Sequence, residues 1–179
     1  MPYVFEDAPT GRSKCRGCGL GIERGELRFG ERIPNPFGKG EATLWFHPRC
    51  AGFKRPEALL EALQGPDAPA DRADLARVAQ ASAAHRRLAR VDGAERAPTG
   101  KATCRHCKEL IERGEWRIRL AIFEEGQFAG AGFIHLACRT AYFEGHDVLE
   151  PLLHFSPKLD EQERKDLTQS YQSSSSRPS

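Results

Sequence analysis

The residues best placed to do chemistry are six cysteines, which fall as pair, single, pair, single: Cys15 and Cys18, Cys50, Cys104 and Cys107, Cys138. Each pair reads C-x-x-C, and each single cysteine follows a histidine three residues earlier, His47 before Cys50 and His135 before Cys138. The two sets are C-x2-C-x28-H-x2-C and C-x2-C-x27-H-x2-C. Three thiolates and one imidazole close a tetrahedral shell around zinc, whereas a catalytic zinc keeps one position open for water. The expected cofactors are therefore two structural Zn2+ ions. C-x-x-C redox chemistry or a Cys–His nucleophile would not explain why the whole four-ligand set occurs twice. The H-x-E…P-C-x-x-C signature of zinc nucleobase deaminases does not occur in the chain. A disulfide framework is disfavoured, because MPYVFEDAPTG has no basic start followed by an apolar run.

These ligands sit in a duplicated segment. Residues 6–28 (EDAPTGRSKCRGCGLGIERGELR) and 95–117 (ERAPTGKATCRHCKELIERGEWR) are identical at 14 of 23 positions, at a constant offset of 89. By His47 and His135 the offset is 88, so one residue was lost in the loop between. With 179 residues the chain holds one ordinary domain or two very small ones. Modules of ~50 residues rarely stabilise themselves by burial alone, which is the deficit a structural metal fills. The expected organisation is a first module over 1–64, an Ala/Arg-rich helical linker over 65–94, a second module over 95–153, and a short helix with a disordered Ser-rich tail over 154–179.

Strand periodicity positions the ligands. In LRFGERI, Leu27, Phe29 and Ile33 alternate with Arg28 and Arg32, so the two arginines are expected on one exposed face. In WRIRLAI, Trp116, Ile118, Leu120 and Ile122 point inward and Arg117 and Arg119 outward. EATLWFH and GAGFIH return as antiparallel partners that deliver His47 and His135, and Pro56 opens the helix PEALLEAL. The fold class is α+β: two small zinc-stabilised modules joined by a helical linker. That linker, RADLARVAQASAAHRRLARV, carries only the thin stripe Leu75, Val78, Ser82, Leu88 and Val91, so it should dock lightly. Ser156 followed by Pro157 predicts the start of the C-terminal helix.

The motifs G-R-x-x-C-x-x-C at 11–18, L-R at 27–28 and W-F-H-x-x-C at 45–50 resemble the zinc finger of poly(ADP-ribose) polymerases, also found in DNA ligase III. The resemblance covers about residues 3–63 and again 92–153. It implies a DNA-binding protein that senses nicks or ends by gripping phosphates and stacking apolar side chains on the exposed base pair. It also implies DNA as partner, a DNA-repair enzyme acting at the same break, and no catalytic activity in this chain. Carried over by position, the phosphate-contacting residue before the first cysteine is Arg12, and Lys101 in the second module. The strand arginine is Arg28, and Arg117. The base-stacking loop corresponds to PNPFGKGEATL with Phe37, and to FEEGQFAGAG with Phe128. Arg32 and Arg119 extend the strand cations.

Other readings of the same residues stand beside these. Arg28 and Arg117 also fit ordinary solvated strand positions, and Phe37 fits a residue tucked onto its own module. Arg16, Lys14 and Arg105 at the zinc knuckles either touch phosphate or keep the knuckle soluble. His106 reads as an exposed knuckle residue; His85, His146 and His154 have no motif around them. The formal charge of +2 falls to zero once two zinc ions are held by six thiolates, whereas DNA-binding domains usually carry a basic field. A zinc-stabilised protein-interaction adaptor that does not bind DNA is therefore the alternative, and an enzyme is the third reading. No apolar run approaches the ~18 residues of a membrane span, so no membrane partner is expected. The expected location is intracellular and DNA-associated: cytoplasm or nucleoid in a bacterium, nucleus in a eukaryote.

Overall fold

A computed structural model describes residues 2–35 and 38–174. The chain divides into two compact units, Met1–Ala84 with Phe123–Phe128, and His85–Ile122 with Ala129–Ser179.

The first unit contains β1 (Tyr3–Asp7), β2 (Leu27–Pro34), β3 (Glu41–Phe46), α1 (Pro48–Lys54), α2 (Pro56–Ala62) and α3 (Arg72–Ala83). Its antiparallel sheet has the order β1-β2-β3, with Phe5 opposite Phe29 and Phe29 opposite Phe46. Those aromatic side chains pack across the strands at 5.4 and 6.2 Å between ring centroids, and Phe29 and Phe46 are wholly buried. Pro48 and Pro56 each occupy the start of a helix, where a missing N–H costs nothing.

The second unit repeats the plan. It contains β4 (Arg90–Arg96), β5 (Ala102–Thr103), β6 (Leu110–Ile111), β7 (Trp116–Glu124) and β8 (Gln127–His135) apart from their shared tip Phe123–Phe128, a 3-10 turn (Leu136–Cys138), α4 (Arg139–Tyr142), α5 (Leu149–His154) and α6 (Glu161–Ser174). The larger sheet runs β4-β7-β8, with Ala94 opposite Ile118 where the first unit pairs Phe5 with Phe29. Ile118, Ile134 and Leu120 fill its core. The ladder slips between Val91 and Ala94, where Gly93 has φ +110. A Cβ there would stand 2.3 Å from the carbonyl oxygen of Phe155, so only glycine fits the bulge.

Three expectations are corrected. The helix expected over 72–91 stops at Ala83, and residues 90–96 form β4. Those residues are the second copy of β1, and β7 needs them as its ladder partner; Leu88 is left exposed. Nor does α3 dock lightly. It packs on α1 and α2, with Leu75, Val78 and Ala79 buried. Gly52 permits the close approach, since a Cβ on it would lie 3.0 Å from Val78 Cγ1. Finally, α6 starts at Glu161 and not at Ser156. Asp160 and Glu163 form a reciprocal capping box, each side chain accepting the other's backbone N–H at 2.8 and 3.0 Å. Ser156 is buried, accepting Ala94 N–H at 2.8 Å and donating to Leu152 O at 2.7 Å. The helix runs through Ser174, inside the segment expected to be disordered; residues 175–179 lie outside the described residues.

Each unit thus holds a three-stranded sheet followed by three helices. α3 and α6 play matching parts, one burying Leu75 and Ala79 and the other Leu167 and Tyr171, four residues apart in both. Arg139, the counterpart of Ala51 at the offset of 88, is buried in the second unit. Its guanidinium donates to Tyr171 O at 2.6 Å and to Leu136 O at 3.2 Å, and lies over the Tyr171 ring.

Candidate metal centres and the surfaces around them

Both ligand sets assemble. Cys15, Cys18, His47 and Cys50 form one quartet, and Cys104, Cys107, His135 and Cys138 the other, with all ligand atoms of a quartet within 4.8 Å of one another. The C-x-x-C knuckle supplies two thiols in each. The end of β3 or β8 supplies the histidine, and the helix start that follows supplies the last cysteine. His47 Nδ1 lies 3.5 Å from Cys18 Sγ and 3.8 Å from Cys50 Sγ. His135 Nδ1 lies 3.4 Å from Cys107 Sγ and 3.8 Å from Cys138 Sγ. Zn–S bonds near 2.3 Å and Zn–N bonds near 2.0 Å at tetrahedral angles place N and S about 3.5 Å apart. The quartets therefore fit zinc bound through Nδ1. The backbone N–H groups of His47 and His135 point at Cys15 Sγ and Cys104 Sγ, at 3.3 and 3.4 Å, as expected for thiolates.

Within each quartet the thiols oppose one another's ionisation. Burial opposes ionisation of Cys104, but backbone donors from His135, Cys107 and His106 outweigh it and bring the thiol down to about 7. Burial and then the charge on Cys104 push Cys138 up to about 12. In the first quartet the neighbouring thiols lower Cys15 by donating hydrogen bonds to it, and in turn raise Cys50. Three crowded thiols cannot all ionise unaided. A dication removes that conflict and completes the fold.

The far side of each imidazole is also held. His47 Nε2 faces Glu26 Oε1 at 3.6 Å, and His135 Nε2 faces Glu115 Oε2 at 3.8 Å and Leu110 O at 3.1 Å. Leu110 O is the acceptor within hydrogen-bond reach of His135, and the two carboxylates stand just beyond that reach, where they favour a ring that presents Nε2–H to them. Sequence reasoning passed over Glu26 and Glu115, although they are identical residues at matching places in the repeat.

The cations expected to face DNA divide into two groups. Arg12, Arg16 and Arg32 are exposed in the first unit, and Lys101 and Arg105 in the second, Arg105 also donating to Ala131 O at 2.6 Å. Arg28 and Arg117 are not exposed as the strand alternation suggested; each is only 6% accessible. Arg28 pairs with Glu6 across the β1–β2 ladder, donates to Ser13 Oγ at 2.7 Å, and lies 3.5 Å from the Trp45 ring centroid. Arg117 pairs with Glu95 and lies 3.7 Å from the Phe133 ring. Alternation put both arginines on the outer face correctly, but an aromatic ring from the third strand covers that face. Trp45 and its counterpart Phe133 thus cover the outer arginines, and Phe133 also packs against the core of the second unit. Arg119 is half-buried against Asp92 O, at 2.6 Å. Phe37 lies outside the described residues.

Phe128 is not on a loop. Glu125 and Gly126, at φ +50 and +78, make a tight two-residue turn, and β8 begins at Gln127. Phe128 is half-buried in the first unit, its ring edge-on to Phe46 at 6.3 Å and 5.0 Å from Phe123. In the first unit Asn35 N–H donates to Gly40 O at 2.9 Å, on either side of residues 36–37, which lie outside the described residues.

No protein-family model matches the chain. It is similar to curated poly(ADP-ribose) polymerases: 26% identical over 142 residues to that of Sarcophaga peregrina, and 30% over 140 residues to that of Drosophila melanogaster. Each match covers 69% of this chain and 14% of the relative. The poly(ADP-ribose) polymerase 1 of Oryza sativa subsp. japonica is 23% identical over 82% of this chain and 16% of its own length. The chain thus spans about one seventh of the length of the relatives it matches. Among the described residues no helix is long and apolar enough to cross a membrane.

Proposed function

From the premise that this chain carries two tandem zinc fingers of the poly(ADP-ribose) polymerase type, we propose that it binds DNA at nicks or ends and performs no reaction of its own. The observation that carries this reading is the exposed trio Arg12, Lys14 and Arg16, set on the zinc knuckle of the first unit beside the Glu6–Arg28–Trp45 stack. Fixed backbone around a zinc ion holds such cations at set spacings, which suits phosphates flanking a discontinuity better than a diffuse basic field does. Phe37 is the apolar residue assigned to stack on the exposed base pair.

In this reading Arg12, Arg16 and Arg32 take phosphate directly, as do Lys101 and Arg105 in the second finger. Arg28 and Arg117 act through the surface they brace. The first finger is the principal reader: residues 1–64 hold 10 basic and 8 acidic side chains against 7 and 8 in residues 99–153, and Glu124 and Glu125 stand where the second finger would meet phosphate. All six cysteines belong to the two quartets, which leaves none of them free to act as a nucleophile. A repair enzyme acting at the same break would supply the chemistry. The test is the paired variant Arg12→Ala/Arg16→Ala in the zinc-loaded protein. Its affinity for a nicked duplex should fall at least tenfold, whereas Arg119→Ala should change it less than twofold. Equal effects would contradict the assignment.

The zero formal charge of the zinc-loaded chain favours one competing reading, a protein-interaction adaptor without DNA affinity. Absence of any nicked-duplex binding would select it.

A further inference from the structure

The two quartets have the same ligands but not the same cover. Cys15 and Cys50 are 1% accessible in the first quartet, and Cys18 is half-buried. In the second, Cys104 is buried, but Cys107 is exposed and Cys138 half-buried. The helix starts account for part of this. Cys50 lies within the seven-residue α1, whereas Cys138 ends a 3-10 turn ahead of the four-residue α4.

The knuckles account for the rest. Gly17 lies so close to Cys50 that a Cβ on it would sit 2.9 Å from the Cys50 Cβ. Its counterpart in the second knuckle is His106, a full side chain, exposed and edge-on to Tyr142 at 6.4 Å. A knuckle seated as closely on Cys138 would not accept it. An open groove of about 520 Å3 also reaches the second quartet, lined by Cys107, His135 and Cys138 together with Arg96, Trp116 and Ser174.

We propose that the second quartet is the exchangeable metal site of the pair, losing zinc first to a chelator and offering Cys107 as the first thiolate to an electrophile. Cys107, the exposed thiol of the set, would be the ligand most open to an incoming chelator, and the wholly buried Cys104 the least. The first finger then stays folded while the second responds to zinc supply, which makes its occupancy conditional. The inference depends on the zinc sites and not on DNA binding.

The test uses the full zinc-loaded chain. Release to EDTA, followed with a chromogenic zinc indicator, should show two phases of equal amplitude whose rates differ at least tenfold. Parallel samples receive substoichiometric iodoacetamide, where the thiolate sulfur displaces iodide from carbon and forms a thioether. Peptide mapping should find Cys107 modified first. His106→Gly should slow the fast phase, and Gly17→Ala should quicken the slow one, each by threefold or more. A single release phase, first modification at Cys15, Cys18 or Cys50, or no response to either substitution would overturn the proposal.

Discussion

Glu6 and Arg28 face each other across β1 and β2, the carboxylate taking the guanidinium on its Nε–H at 3.1 Å and again on Nη2. Glu95 and Arg117 repeat the arrangement at 3.0 Å, 89 residues on. In both, an aromatic ring from the next strand closes the outer side. A buried guanidinium without its carboxylate is an uncompensated charge, and the partial exposure of Glu6 softens that penalty. Glu6→Gln should therefore destabilise the first unit by about 1–3 kcal/mol. Denaturant unfolding with a Glu6→Gln/Arg28→Met double-mutant cycle measures it. A coupling below the error of the cycle would mean that the pair is ornamental.

Zinc removal should unfold the protein. Structural sites of this type contribute on the order of 10 kcal/mol of apparent folding free energy near neutral pH. Elemental analysis of the folded chain should give two zinc ions, and excess chelator should abolish the near-ultraviolet circular dichroism. Native-like spectra after complete metal loss would contradict this.

The carboxylates behind the histidines should tune metal affinity without touching the metal. Glu26→Gln and Glu115→Gln should each weaken zinc binding at one site by about tenfold, at the lower end of such effects. Competition against a chelator of known affinity reads this out, with unfolding curves of the zinc-saturated variants as the control.

The C-terminal helix should prove part of the second unit. Leu167→Ala removes a wholly buried side chain and should cost about 2–5 kcal/mol. Truncation before Asp160 should leave Arg139 without its Tyr171 partner and unfold the second unit, as judged by loss of its amide hydrogen-exchange protection.

The ligand quartets, the duplication and the inward faces of β2 and β7 were legible in the sequence because each follows from spacing alone. The helix boundaries were less so. Residues 90–96 look helical locally, with Ala and Arg around them, and only their place in the repeat, opposite Arg117, makes them a strand. The outer face of β2 was misjudged because period-two alternation gives direction and not cover; Trp45 lies 17 residues further on. The tight turn at Glu125 was hidden because Glu rarely adopts positive φ, so FEEGQF read as an open loop.

The most direct measurement is an equilibrium titration of the zinc-loaded chain against one duplex in three forms: covalently closed, singly nicked, and blunt-ended. It is run at fixed salt with fluorescence anisotropy. Binding to the nicked or blunt-ended form should be at least tenfold tighter than to the closed one. Equal affinity for all three, or no binding to any, would contradict it.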